Sequence, residues 1–314
     1  MSTRLHTICG LAVGLAAATL TCGPSGLQPR EGFVHVPGGR VWYRIVGSGT
    51  RTPLLVLHGG PGVPSTYLKP LAALADERPV VFYDQLGAGK SDHPKDSTLW
   101  RMERFLADLA AVRESLGLRE IHLYGHSWGT MLAVDYLLQH PAGVRSVLLA
   151  GPVMDYPRTL HDDDSLKRTL PDSIRRVLAR HERDGSCDSP EYQAAMVPYY
   201  ERFFARRQPW SIDLDSGVRG VDPVPDAAVF GRCDRGGPLA TYDRTRQLRS
   251  MTVPALFMVG GYDPTTPAAA RDYQRLWPGA ELVVFDSSGH LPMQDEPEHY
   301  VAAIRDFLHR VEGR

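Results

Sequence analysis

Residues 121–141 read Ile121-His-Leu-Tyr-Gly125-His-Ser127-Trp-Gly129-Thr-Met-Leu-Ala-Val-Asp-Tyr-Leu-Leu-Gln-His-Pro141. The apolar run Ile121–Tyr124 predicts a short buried strand. Past Gly129, apolar residues recur at helical spacing (Met131, Leu132, Val134, Leu137, Leu138) until Pro141 ends the run. Between strand and helix stands Gly-x-Ser-x-Gly. A strand-to-helix turn this tight strains the backbone at the serine and needs neighbours without a Cβ. It lifts the Ser127 hydroxyl above the sheet edge. It also leaves the next N–H groups at a helix N-terminus, where developing negative charge is favoured. A Gly/Ser turn can form without any chemistry, so the rest of the chain decides.

Working outward, Pro53–Leu57 is a continuous apolar run leading into His58-Gly59-Gly60-Pro61-Gly62. Pro79–Tyr83 leads into Asp84-Gln-Leu-Gly-Ala-Gly-Lys-Ser91, and Val144–Ala150, Pro254–Val259 and Glu281–Phe285 repeat the pattern. Runs without polar alternation belong to strands buried on both faces of a parallel sheet. Phe33–Val46 reads as a hairpin turning at Pro37-Gly38-Gly39, and Trp100–Leu116 and Pro297–Arg310 read as helices. The alternation gives an α/β class, a mainly parallel sheet with helices on both faces. Residues 152–246 break the pattern. They hold no clear buried strand and are rich in Arg, Asp, Pro and aromatics, with helical stretches at Pro171–Asp184 and Glu191–Arg207. The expected organisation is a core of residues 33–151 and 247–314, interrupted by a helical cap of residues 152–246.

A serine hydroxyl needs a base, and the base needs an orienting acid. Functional groups of an open parallel sheet gather at the C-terminal ends of its strands. Asp263 follows one strand and His290 follows the next. The predicted triad is Ser127, His290 and Asp263. Asp263 could instead cap the following helix, with Asp155 as a rival acid. His122 and His126 flank the turn but face wrongly for a base. For the oxyanion hole, the N–H of Trp128, directly after the nucleophile, is one expected donor. The other is Gly60 in the glycine loop, with Gly59 its close rival, and His58 is expected to hold that loop in place.

The chain has 314 residues with 43% apolar and 23% charged content and a net charge of −1. This is the composition of a globular domain, and no basic stripe argues for nucleic acid. The start differs. Arg4 precedes an apolar run, Ile8–Leu20, and then small residues from Thr21 to Gly26. This is the layout of an export signal over residues 1–22, followed by a linker over 23–32. The apolar run is too short for a comfortable membrane span. Export implies a secreted or cell-envelope protein. It would touch a membrane only through the signal or through lipid on Cys22. Cys187 and Cys233 are the only cysteines beyond that segment and are natural disulfide partners in an exported chain. Their bridge would stabilise by about 4 kcal/mol in the chain-entropy picture. Neither has a ligand partner at metal spacing, so no metal or cofactor is expected.

The segments His58-Gly-Gly-Pro-Gly62, Asp84–Ser91 and Gly125-His-Ser-Trp-Gly-Thr130 together resemble the proline iminopeptidase family of α/β-hydrolase serine peptidases. Gly261-Tyr-Asp263 and Ser288-Gly-His290 fit that family's acid and base positions. The resemblance runs over residues 33–312. It implies the α/β-hydrolase fold and an aminopeptidase that releases N-terminal residues, proline among them, from short peptides. In such enzymes cap acids bind the free α-ammonium. The candidates here are Asp234, Glu201 and Glu191, each of which could equally be plain surface charge. The chain departs from its relatives at Pro264, where they often carry Glu, and at Leu86, where they commonly carry Arg. An esterase, amidase or lactonase acting on a small hydrophobic substrate is the alternative on the same machinery.

Overall fold

The computed structural model describes residues 26–313. The export signal and Cys22 therefore lie outside the described residues. Eight strands form one sheet: β1 Arg30–Val36, β2 Gly39–Val46, β3 Leu54–Leu57, β4 Val80–Tyr83, β5 Ile121–His126, β6 Val144–Ala150, β7 Ala255–Gly260 and β8 Glu281–Phe285. Their order is β1-β2-β4-β3-β5-β6-β7-β8. Both pairings of β2, with β1 and with β4, are antiparallel, and every other pairing is parallel. β1 begins at Arg30 and Leu27 bridges to Gly49, so the end of the stretch read as a linker is paired backbone.

The helices are α1 Met102–Ser115, α2 Trp128–Leu137, α3 Tyr156–Lys167, α4 Asp172–Asp184, α5 Pro190–Tyr199, α6 Ile212–Arg219, α7 Pro223–Phe230, α8 Pro267–Leu276, α9 Pro292–Asp295 and α10 Pro297–Glu312. Alternate residues of each central strand enter opposite cores. Leu55, Leu57, Leu123 and Leu149 pack with α1, α2 and α8 on one face. Leu54, Val56, Tyr124 and Leu148 pack with α10 and the 3-10 segment Ser65–Asp76 on the other. That segment carries Pro70, which removes an amide donor and masks the helical pattern in the sequence. The helices α3–α7 lie between β6 and β7 and keep a small core of their own, with Leu170, Leu178, Tyr192, Met196, Tyr199 and Phe203. A disulfide joins Cys187 to Cys233 within this region.

One buried charge fastens the last helix to the sheet. Arg78 is fully buried, and its guanidinium donates to Glu312 at 2.5 and 3.2 Å and to the Thr52 carbonyl at 3.2 Å. Burial alone would raise the Glu312 pKa, but the hydrogen bond and charge of Arg78 outweigh it and the net direction is down. Arg78 is buried whereas Glu312 is at the surface, and Glu77 stands 3.8 Å from the guanidinium, so removing Glu312 leaves Arg78 only partly compensated. Glu312→Ala should therefore cost about 1–2 kcal/mol at neutral pH, read as a fall of a few degrees in Tm. A depressed carboxyl contributes stability above its unfolded pKa and loses it as pH falls through the folded value. The gap between wild type and variant should thus shrink below about pH 4.

Candidate active site

Ser127 sits between β5 and α2 with φ 53° and ψ −120°. Its N–H donates to Ala150 O at 2.9 Å, and its carbonyl accepts from Thr130 N at 2.8 Å and Thr130 Oγ1 at 2.6 Å. A Cβ on Gly125 would stand 2.3 Å from Gly129 O, and one on Gly129 would stand 2.5 Å from Leu57 O. The two glycines let strand and helix touch. Ser127 is only half-buried, and its hydroxyl has no hydrogen-bond partner among the described residues.

Asp263 and His290 stand past the ends of β7 and β8. His290 Nδ1 donates to Asp263 Oδ1 at 2.8 Å, and Thr265 N and Oγ1 donate to the same oxygen at 2.8 Å each. Burial pushes Asp263 up, but the charge and hydrogen bonds of His290 and Thr265 outweigh it, so it stays ionised below the usual carboxylate range. Gly151 backs the imidazole at φ 55°. A Cβ there would lie 2.7 Å from His290 Cε1. The structure thus brings Ser127, Asp263 and His290 to one end of the sheet. Asp155 lies elsewhere, capping α3 through a bond from Arg158 N at 3.0 Å. His122 bonds Ser146 and Glu312 at the far end of β5.

The glycine loop is fixed by a chain of hydrogen bonds. His126 Nε2 donates to the His290 carbonyl at 2.9 Å, so its Nδ1 accepts from Tyr67 Oη at 2.8 Å. Tyr67 Oη in turn accepts from Gly59 N–H at 2.7 Å. Burial pushes His126 down to about 3, with the nearby His290 adding to it, so the ring stays neutral and the directions hold. Gly59 N–H is therefore occupied. The N–H groups of Gly60 and Trp128 have no acceptor among the described residues, and these are the two expected oxyanion donors. His58 Nε2 accepts from Gln85 N at 2.8 Å and holds the loop, while Gln85 Oε1 accepts from Trp128 Nε1 at 2.9 Å.

The helical region roofs this end of the sheet and bonds to it directly. His290 N and Leu291 N donate to the carbonyls of Phe203 and Phe204 at 2.9 and 3.0 Å, and Asp222 N donates to Gly62 O at 3.0 Å. Phe230 lies edge-on to Trp128 (centroids 5.9 Å) and stacks on Tyr156 at 4.7 Å. Phe204 lies 5.5 Å from His290, with Tyr200 5.7 Å beyond it. Both routes lead to one pair of acids. Tyr156 Oη donates to Asp234 O at 2.8 Å, and burial and the charge of Asp234 push Tyr200 up to about 12.

The charge of Asp234 is felt at Asp226. Burial, then the charge of Asp234, pushes Asp226 up to about 8, and burial pushes Asp234 up too. Asp226 is half-buried, and Asp234 keeps an accessible surface. Neither acid has an ion-pair partner among the described residues, whereas the adjacent Asp163 and Glu182 are neutralised by Lys167 at 2.9 and 2.8 Å. Neighbouring carboxyls disfavour one another's charge, which favours a proton on one of them, and Lys167 and Arg235 offset part of this at Asp234. Glu191 is not part of this group. It is exposed and pairs with Arg180 at 2.5 Å and His181 at 3.2 Å. Glu201 is exposed, with no ion-pair partner among the described residues. Asp226, Tyr67 and Gln85 carry no local signature in the sequence, because each acquires its role through a contact with a distant segment.

A family model described as the alpha/beta hydrolase fold matches residues 52–297. A proline iminopeptidase of Heyndrickxia coagulans is 41% identical over 285 residues, covering 90% of this chain and 99% of that protein. Among solved structures, VinJ aligns with a TM-score of 0.86 at 30% identity, covering 90% of this chain and all of that one. The proline iminopeptidase of Mycobacterium smegmatis aligns with a TM-score of 0.81 at 28% identity, covering 90% of this chain and 98% of that one.

The Tyr67 hydroxyl is the hinge of the loop network. Tyr67→Phe keeps the ring but frees Gly59 N–H and strips His126 Nδ1 of its donor. Loss of hydrogen bonds on this scale should lower kcat on the order of 10-fold and leave KM nearly unchanged. Steady-state kinetics beside a thermal melt separate that from unfolding.

Proposed function

This chain belongs to the proline iminopeptidase family of α/β hydrolases, and on that premise we propose that it is an aminopeptidase removing an N-terminal residue, proline included, from short peptides. The observation that carries the reading is the Asp226–Asp234 pair. It is an acid pair with no ion-pair partner among the described residues, in the same helical region whose Phe230 meets Trp128 and whose Phe204 meets His290. A peptide's α-ammonium supplies the missing charge. An N-terminal proline offers two N–H donors on a secondary ammonium, one for each carboxyl, and its ring suits the apolar faces of Phe204 and Phe230. On this reading the first carbonyl is the one presented to Ser127.

In the proposed mechanism His290 takes the Ser127 proton as the hydroxyl attacks that carbonyl. Asp263 keeps the imidazole in the correct tautomer and stabilises the imidazolium. The N–H groups of Gly60 and Trp128 receive the oxyanion. His290 then protonates the departing amine, and water releases the acyl residue by the reverse sequence. Chemistry of this kind needs no cofactor. We propose also that the chain is exported, with residues 1–22 as its signal. The Cys187–Cys233 bond supports this, since such bonds persist in oxidising compartments. The mass of the mature protein decides the matter: an intact Met1 would refute cleavage, and a lipid adduct on Cys22 would identify an anchored form.

Ser127→Ala should lower kcat by about 10⁶-fold; activity within tenfold of wild type rejects the nucleophile. Asp226→Asn and Asp234→Asn should each raise KM for prolyl-arylamide by roughly 10–100-fold, the scale of a charge-assisted hydrogen bond. Faster turnover of an N-blocked amide than of the free amine would favour the esterase or amidase alternative. The pH profile follows from the raised Asp226. Below about pH 8 the pair keeps its proton and is singly charged; above it the pair is doubly charged. A substrate α-ammonium loses its own charge near pH 8. KM for the free-amine substrate should therefore be lowest near pH 8 and rise on both sides.

A further inference from the structure

The two acids of the pair are held by different means. Asp226 rides on α7, a helix capped by Asp222 through a bond from Val224 N at 2.9 Å. Asp234 sits in a loop with unusual backbone. Cys233 and Asp234 are consecutive non-glycine residues at φ 54° and 58°. That region is costly for residues with a Cβ and persists only where the surroundings dictate it.

Here the surroundings do. The loop closes on itself, with Gly237 N donating to Phe230 O at 2.8 Å, and a Cβ on Gly231 would stand 2.1 Å from Arg235 O. The one covalent tether in its middle is the bond from Cys233 to Cys187. Cys187 is anchored in turn. It packs against the small core of the helical region, and its carbonyl accepts from Gln193 Nε2 at 2.7 Å. The sulfurs thus tie the turn covalently to α4 and α5, beside the hydrogen bond from Tyr156 Oη to Asp234 O at 2.8 Å and the Arg235–Asp164 ion pair at 2.5 Å.

We propose that the Cys187–Cys233 bond is a specificity-determining element: it holds Cys233 and Asp234 in the left-handed turn that sets the Asp234 carboxyl against Asp226, and so sets the affinity for a free α-ammonium. The inference rests on the reading of that acid pair as the ammonium site. Without the bond the turn relaxes toward negative φ and the carboxyls separate. Ser127, Asp263 and His290 stand on strand ends that the bond does not touch. The intact bond thus favours substrates with a free N-terminus, and its loss relaxes that preference without stopping hydrolysis.

The test compares wild type, Cys187→Ser, Asp234→Asn and the double variant on prolyl-arylamide and its N-blocked analogue. Wild type is also assayed after reduction with a phosphine. In that step the disulfide gains two electrons and two protons to give two thiols, and the phosphine takes the oxygen of one water to become its oxide. Cutting the bond by either route should raise KM for the free amine about tenfold, keep kcat within about twofold and narrow the free-versus-blocked ratio. Asp234→Asn should add little in the Cys187→Ser background, since both changes remove one interaction. Unchanged KM after cutting the bond, or additive effects, overturns the inference if Asp234→Asn alone still raises KM. A wild-type background in which Asp234→Asn has no effect overturns the acid-pair reading itself. A Cys187→Ser protein that fails to fold leaves the reduced wild type as the deciding sample. Parallel collapse of kcat and KM there assigns the bond to the scaffold alone and overturns the inference.

Discussion

Strand β5 must become helix α2 across a single residue, and the room for that turn is the constraint on which the site depends. It is met by removing atoms. Gly125 and Gly129 let the helix backbone press on the strand and on Leu57, closer than any side chain would allow. The cost is concentrated at Ser127, whose backbone occupies a region that ordinary residues avoid. In return the hydroxyl stands clear of the sheet, and Trp128 presents an uncommitted N–H at the first turn of α2. The buried strands on either side, packed on both faces, supply the rigidity that keeps such a turn from relaxing.

Around that turn the polar groups are arranged to leave a few deliberately unsatisfied. Gly59 N–H is spent on Tyr67, whereas Gly60 N–H is free. Asp163 and Glu182 share Lys167, whereas Asp226 and Asp234 have no ion-pair partner among the described residues. A free donor on one side and an unmatched acid pair on the other describe a site complementary to a molecule carrying a carbonyl oxygen and an ammonium.

Much of this was legible in the sequence, and the reason is local. Buried parallel strands leave unbroken apolar runs, and the order of Ser127, Asp263 and His290 follows from the order of strand ends. The glycine loop could be recognised for the same reason. The 3-10 segment Ser65–Asp76 was not, because Pro70 interrupts its period. Asp226 was missed because its meaning lies in one contact with Asp234. Glu191 looked equivalent to Asp234 in sequence, yet Arg180 and His181 already neutralise it. Charge type is written locally, but whether a charge is compensated is a property of the folded neighbourhood.

The main-chain bonds from His290 and Leu291 to Phe203 and Phe204, and from Asp222 to Gly62, join the roof to both halves of the chemical apparatus. A roof fastened in this way is a crossbeam, not a hinged cover. Swinging it away as a rigid body would pull on the base through one bond set and on the oxyanion loop through the other. A roof that stays in place leaves passage to the gaps around it, and a chain end threads a gap more readily than the middle of a polypeptide does. Under the proposed function, exopeptidase behaviour would in this sense be a property of the joinery as much as of the acids.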